Sequence, residues 1–439
     1  MTDRTNLVMA ADRRLHHVVV LGANGAMGYA SAALFAPSVG RVTLLARTVE
    51  KAREAVRLAG TRLTDPAIAD RLVAGSYDED LLLALASADL VFEAMAEDGP
   101  LKCEMFARID ANRREGCIVA TVTSGLSING LSAGRSEGFR SHFVGLHLFN
   151  PPHVIRGTEI IAGRDTRADV VDFIEKFACE ALDRVTVRTA DTPGFAGNRI
   201  GFKVLNDAAR LSIDLGPTLV DTIVGPYTGR ALAPLRTIDL VGWDVHAAIV
   251  DNVAANSCDE AHDTLVMPTS LRVLMSQGIL GRKSGRGFFA TRDGVRMVLD
   301  VASGDYIPAA ACQRPDLGYI EEMKRLQIAG QFSESMRCLV QASGEMARIT
   351  RQVVAGYVAY AFARVGEVCD DIGGIDRIMA FGFNWVPPSA LVELLTPEGT
   401  RQMLTEAGLQ VPSALEAWGD QPCDIATELN LPRLFGVST

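Results

Sequence analysis

Through the first 195 positions the apolar residues gather in short unbroken runs, separated by stretches in which they recur at every third or fourth place. The runs are HHVVVL (16–21), RVTLLA (41–46), RLVAG (71–75), ADLVFEAM (88–95), CIVATVTS (117–124), FVGLHLF (143–149), EIIAG (159–163) and RVTVRTAD (184–191). Continuous apolar runs predict strands buried on both faces, and TVEKAREAVRLAG (48–60) and LKCEMFARIDANRR (101–114) between them predict helices. Strand and helix in alternation predict an α/β fold with a doubly wound, mainly parallel sheet. After DTPGFAGNR (191–199) the runs give way to long helical patterns such as RIGFKVLNDAARLSIDL, which predict an all-helical C-terminal region.

Within that region VDTIVGPYTGRALAPLRTIDLVG (220–242) resembles IDRIMAFGFNWVPPSALVELLT (375–396). In each, an Asp near a helix start precedes an aromatic and glycine turn, and a Pro then leads an apolar stretch carrying one acid, Asp239 or Glu393. The shared order favours a duplicated helical domain over coincidence. The expected organisation is a leader (1–14), an α/β domain (15–195), a first helical copy (196–292), a connector followed by a helix (293–345) and a second copy (346–439).

Composition narrows the partners. The 439 residues exceed one ordinary core, and 48% apolar with 22% charged residues is an ordinary globular balance. Lys plus Arg number 43 against 53 Asp plus Glu, and a net charge of −10 disfavours nucleic acid. No apolar run approaches the roughly 18 residues that span a membrane. The N-terminus lacks an apolar secretory core, so a cytoplasmic protein is expected. Eight cysteines (103, 117, 179, 258, 312, 338, 369, 423) are scattered without a CxxC, which predicts free thiols and no metal site.

The first strand run ends in GANGAMG, with Gly22, Gly25 and Gly28 in a G-x-x-G-x-x-G spacing one residue longer than the common dinucleotide fingerprint. A plain tight turn would use the same glycines. The loop's place between the first strand and the first helix favours a pyrophosphate held by the backbone of Gly22, Gly25, Ala26, Met27 and Gly28. At the end of the second strand, where an acid would bind the 2′-hydroxyl of NAD, stand Ala46 and Arg47. Losing the acid and gaining a guanidinium would suit a 2′-phosphate, or Arg47 is simply solvated. His147 lies in VGLHLFNPP, with Glu159 twelve residues on. A lone His on an apolar strand is more often a core residue. A carboxylate on one ring nitrogen would free the other as a base, though spacing leaves open whether the two touch. Ser124 ends the fifth run, where ligands bind in open α/β sheets, and Asn198 opens the helical region.

Five motifs in order, EAMAEDGPLK (93–102), VTSGLSI (122–128), GLHLFNPP (145–152) with Glu159, DTPGFAGNR (191–199) and GRKSGRGFF (281–289), resemble those of the 3-hydroxyacyl-CoA dehydrogenases of fatty-acid β-oxidation. The resemblance covers nearly the whole chain. It implies a Rossmann-type NAD(P)-binding domain followed by helical domains, here two in tandem that could pack on each other within one chain, with no hydratase domain attached. It implies His147 as catalytic base, Glu159 as its partner, and Ser124 and Asn198 as hydrogen-bond donors to the reacting oxygen. Glu97 and Lys102 would lie by the cofactor, and Asn150 would support the His loop. The implied reaction is reversible oxidation of an L-3-hydroxyacyl-CoA, with NAD(H) as cofactor and NADP(H) open because of Ala46 and Arg47.

The chain departs from the family in the longer loop, in Ala46, and in reading Val122-Thr123-Ser124-Gly125 where the family usually has Asn-Thr-Ser-Ser. These changes bear on cofactor choice. Lys51, Arg53 and Arg57 are candidates for the CoA phosphates, against a plain solvated helix face. Two other functions are weighed: a dehydrogenase of a free hydroxy or sugar acid, and a non-catalytic dinucleotide or acyl-CoA binding protein.

Overall fold

The computed structural model describes residues 15–312, 315, 317–419 and 421–437, so the leader expected over 1–14 lies outside the described residues. The chain divides into two compact units, Met1–Phe195 and Ala196–Thr439.

All eight apolar runs of the first unit are strands: β1 (His17–Leu21), β2 (Arg41–Ala46), β3 (Leu72–Ser76), β4 (Leu90–Glu93), β5 (Ile118–Thr121), β6 (Phe143–Leu148), β7 (Gly157–Ala162) and β8 (Val185–Thr189). They form one sheet in the order β3-β2-β1-β4-β5-β6-β7-β8. Neighbours run parallel except β6 and β7, which are antiparallel. Alternate residues of the central strands feed two separate cores. Val18, Val20, Leu44, Phe92 and Ala120 pack with Ala32 and Phe35 of α1 (Ala26–Phe35). Val19, Leu21, Leu45, Val91 and Val119 pack on the other face with Met105, Phe106 and Ile109 of a long helix, Gly99–Asn112. Burial on both faces is why the sequence is continuously apolar there. The strand order reverses between β1 and β4, which opens a crevice at the carboxyl ends of those strands. In chain order, helix α2 (Val49–Gly60) follows β2, and α3 is the helix Gly99–Asn112.

The second unit is mainly helical. It begins with α4 (Gly197–Leu215), α5 (Pro217–Ile223) and α6 (Pro234–Val241). A small antiparallel sheet follows, of β9 (Phe289–Arg292), β10 (Val295–Leu299) and β11 (Tyr306–Pro308). The stretch 293–345, expected to be a connector followed by a helix, thus carries β10, β11 and two helices, Gly318–Ile328 and Phe332–Gln341. Its strands are three to five residues long and half exposed, so they leave little periodic signal. The chain then forms α7 (Glu345–Ala363), α8 (Ile372–Phe381) and α9 (Pro388–Leu395).

The two similar segments have the same construction. Helices α4 and α7 are each 19 residues long, and each leads to a short helix, a turn and a Pro-led helix. Asp221 accepts hydrogen bonds from the N–H groups of Leu235 and Arg236 at 2.8 and 3.3 Å, at the start of α6. Asp376 accepts from Ser389 N–H at 3.1 Å and its hydroxyl at 2.5 Å, at the start of α9. The second acids also correspond. Asp239 fastens the backbone N–H groups of Phe288 and Phe289, and Glu393 that of Cys423. Between the Pro-led helices and those before them, the turns pair reciprocally. Ala231 N–H donates to Asn384 O at 3.1 Å, and Val386 N–H donates to Gly229 O at 2.7 Å. Gly229 and Asn384 both adopt the left-handed backbone, with φ of 87° and 54°, which Gly and Asn tolerate best.

Burial pushes the carboxyls of Asp221 and Asp376 up to about 7. Both are therefore protonated in the folded chain at pH values where the unfolded chain, near the ordinary value of about 4, has lost the proton. Their contribution to stability is complete below about pH 4 and is lost as pH rises through about 7. Thermal melts across this range should show a flatter pH dependence for the double variant Asp221→Asn, Asp376→Asn than for the natural chain. Parallel curves would refute this origin.

Candidate active site

The loop after β1 is dictated by steric need. Gly22 has φ of +70°, and a Cβ there would fall 2.3 Å from the carbonyl oxygen of Ala94. A Cβ at Gly28 would lie 2.3 Å from Gly22 O, whereas at Gly25 the nearest atom is 3.3 Å away. The first and third glycines are thus required by packing, the middle one less so. Gly25 is the N-cap of α1, which has no side-chain cap and no acid in its first turn. Helices α2 and α3 by contrast are capped by Thr48 and Asp98. The first-turn amides of Ala26, Met27 and Gly28 therefore suit an anionic group, and the loop fits a dinucleotide pyrophosphate. Gly22 N–H donates to the Tyr77 hydroxyl at 2.7 Å, a contact from β3's end that the sequence did not reveal. Ala46 is the buried last residue of β2, and Arg47 beyond it is exposed. On α2, Lys51 and Arg53 are exposed, while Arg57 pairs with Glu54 at 2.6 Å.

Strands β4 and β5 end in a charged network. Lys102, on α3 and 0% exposed, donates to Glu93 Oε1 and Oε2 at 2.7 and 2.9 Å. Glu93 also accepts from Met95 N–H and the Thr121 hydroxyl, each at 2.6 Å. Lys102 Nζ lies 3.5 Å from Glu97 Oε2. Glu97 Oε1 in turn accepts from the Thr123 hydroxyl at 2.5 Å and from Ser124 N–H at 2.8 Å. Glu97, Lys102 and Ser124 are thus brought together, with Glu93, unseen in the sequence, as the buried counter-charge. The loop beyond Ser124 is anchored by Asp191, which accepts from the Ile128 and Asn129 N–H groups at 2.8 and 2.9 Å and from the Ser127 hydroxyl at 2.8 Å. The Asp of DTPGF therefore ties its motif to VTSGLSI.

The antiparallel register of β6 and β7 sets His147 opposite Glu159. His147 Nδ1 and Glu159 Oε2 are 2.6 Å apart, with the two residues 3% and 0% exposed. The imidazole lies against Phe149 and Phe195, with ring centroids 4.8 and 5.7 Å away. An ionised carboxylate only accepts, so Nδ1 carries the proton and Nε2 is left as the basic nitrogen. Asn150, two residues beyond β6, is exposed. In the second unit Asn198 is the buried second residue of α4. Among the described residues no group of His, Cys, Asp or Glu is placed to hold a metal ion, and no helix is long and apolar enough to cross a membrane.

Residues 17–192 match the model of the 3-hydroxyacyl-CoA dehydrogenase NAD binding domain, and residues 194–291 that of the 3-hydroxyacyl-CoA dehydrogenase C-terminal domain. The chain is 31% identical over 296 residues to the mitochondrial hydroxyacyl-coenzyme A dehydrogenase of Mus musculus, covering 63% of this chain and 91% of that one. It is 28% identical over 347 residues to a probable 3-hydroxyacyl-CoA dehydrogenase of Bacillus subtilis, covering 78% of this chain. It spans only 43% of the length of that relative. The fold matches the crystal structure of a 3-hydroxybutyryl-CoA dehydrogenase from Escherichia coli with a TM-score of 0.68, over 92% of this chain and 98% of that one at 22% identity. The chain belongs to the 3-hydroxyacyl-CoA dehydrogenase family, and its first unit is the family's Rossmann-type dinucleotide-binding domain.

Proposed function

We propose that the chain catalyses the reversible oxidation of an L-3-hydroxyacyl-CoA to the 3-ketoacyl-CoA with a nicotinamide dinucleotide. The observation that carries this reading is the buried His147–Glu159 pair at 2.6 Å, which leaves one imidazole nitrogen basic. In oxidation, His147 Nε2 takes the proton of the C3 hydroxyl, and the Glu159 carboxylate stabilises the imidazolium that forms. A bound nicotinamide supplies the acceptor for the C3 hydride. Ser124, its backbone held by Glu97, aligns the reacting oxygen, and the family motif gives Asn198 the same duty. The first-turn amides of Ala26, Met27 and Gly28 hold the pyrophosphate, in a loop shaped by Gly22 and Gly25, whose own N–H groups are bonded to the Tyr77 hydroxyl and to Gly22 O. Glu97 serves the nicotinamide side, and Asn150 supports the loop after His147. Lys102 acts through Glu97, since its ammonium is enclosed by Glu93 and the Met95 carbonyl. Lys51 and Arg53 of α2 are the candidates for the CoA phosphates, both being exposed while Arg57 is paired with Glu54.

The test is turnover by the whole chain with short-, medium- and long-chain 3-hydroxyacyl-CoA thioesters against the matching free acids. Turnover of free acids without turnover of thioesters would overturn the substrate class.

Cofactor choice follows from β2. Ala46 offers no carboxylate to a 2′-hydroxyl, and the exposed Arg47 can meet a 2′-phosphate. NAD(H) is the family's cofactor, so we infer weak discrimination against NADP(H). Ala46→Asp should sharpen the preference for NAD(H). Arg47→Ala should weaken NADP(H) more than NAD(H), by about 1–3 kcal/mol in kcat/KM. Equal losses for both cofactors would mean that Arg47 stacks on the adenine.

A further inference from the structure

We propose that the second helical copy is a positioning element for Asn198. It holds the first turns of α4 through Tyr360 and Glu367 on Arg199 and through Phe383 on Gly201. The inference rests on the role given to Asn198 above.

The start of α4 is poorly secured by its own sequence. Its N-cap is Ala196, without a side-chain cap, and its first turn holds no acid. Gly197 and Gly201 lower the helix propensity of the same turns. What holds this end is tertiary. Arg199, 1% exposed, donates from Nε to the Tyr360 hydroxyl at 2.8 Å and from Nη2 to Asp259 and Glu367 at 2.6 and 3.0 Å. The Tyr360 hydroxyl donates onward to Asp259 at 2.7 Å, and Arg364 reaches Asp259 and Glu260, each at 2.8 Å. One turn further along α4, the Lys203 ammonium stands 5.6 Å from the centre of the Tyr360 ring. Between these two residues Gly201 carries no side chain. A Cβ at Gly201 would fall 2.2 Å from the Phe383 ring, so that ring rests directly on the helix backbone. Tyr360, Arg364, Glu367 and Phe383 all belong to the second copy.

Apolar packing alone would join two helical copies more cheaply. Buried ion pairs add little net stability, because desolvation offsets their attraction. Their effect is geometric: a guanidinium fork bonded to a hydroxyl and two carboxylates fixes one placement of the backbone carrying it. Arg199 is the residue next to Asn198. Misplacement of a positioning group by about 1 Å can cost about 10²-fold in rate.

The test uses the whole chain and two readouts, hydrogen exchange followed by mass spectrometry and steady-state kinetics. Tyr360→Phe keeps the ring and removes the hydroxyl that bonds both Arg199 and Asp259. Gly201→Ala pushes Phe383 off the helix, and adding Phe383→Leu relieves the clash. Tyr360→Phe and Gly201→Ala should speed exchange at 197–203 while leaving α9 unchanged. Each should lower kcat for the thioester by about 10–100-fold and leave KM for the nicotinamide cofactor within about twofold. The Gly201→Ala, Phe383→Leu pair should recover most of the loss. Arg337→Ala, which removes an exposed pair with Glu334 in the stretch just before the second copy, should change neither readout. Unchanged exchange at 197–203, full kcat despite faster exchange, or an equal loss in Arg337→Ala would each overturn the proposal. A natural chain that turns over no thioester would overturn the proposed reaction instead, while the exchange arm still decides whether the second copy holds this helix.

Discussion

His147→Gln is expected to lower kcat by about 10²–10⁴-fold while leaving the dissociation constant for the dinucleotide nearly unchanged. Glutamine keeps a polar group of similar reach but cannot take a proton at neutral pH. The glycine loop follows β1, and the sheet order places β4 and β5 between β1 and the His147 strand, so the substitution leaves the pyrophosphate cradle alone. Loss of the base should appear in kcat at saturating thioester, and calorimetric titration of the dinucleotide should overlay that of the natural chain. A variant retaining more than about a tenth of the activity would remove His147 from the role of base.

Lys102→Met should be the most destabilising single change in the first unit. It would leave the Glu93 carboxylate enclosed with only Met95 N–H and the Thr121 hydroxyl as partners. Removing one member of a buried pair costs about 3–5 kcal/mol, because the remaining charge is uncompensated. Urea unfolding should show this loss as a lower midpoint. The double change Lys102→Met, Glu93→Gln should recover part of it, since no buried charge is then left alone. Midpoints within error of the natural chain for the single variant would show that water reaches Glu93. The same variant should disturb Glu97, and with it the backbone of Ser124, so dinucleotide affinity should fall alongside stability.

The sheet was legible because both its faces are covered, which forces continuous apolar runs such as VVVL and IVAT and leaves no ambiguity about which residues face inward. His147 and Glu159 were visible as residues but not as a pair. Their contact depends on the antiparallel register of β6 and β7, which a spacing of twelve does not encode. Glu93 carries a signal of its own, since an acid inside ADLVFEAM demands a buried partner, and Lys102 answers it. Asp191 looked like part of a domain boundary, whereas its carboxylate caps the turn after Ser124. The small sheet at 289–308 escaped because its strands are short and half exposed. Its one clear signal was Asp293-Gly294, whose left-handed φ values of 50° and 77° make the two-residue hairpin turn that this dipeptide favours. The duplication is legible because both segments place an Asp, an aromatic and glycine turn and a Pro in the same order, and the reciprocal pairing puts the same demand on both turns.

At the centre of that reciprocal pairing, Arg230 and Trp385 stand opposite each other, with the guanidinium 4.9 Å from the centre of the indole. Were the two copies separate, identical molecules, each residue would face its own duplicate: cation against cation, buried together, or indole against indole. Covalent fusion lifts that restriction. One copy can carry the charge and the other the aromatic face that receives it, a contact that a two-fold pair of identical copies could not make at this position. The two turns that close the join are thus complementary to each other and not to themselves.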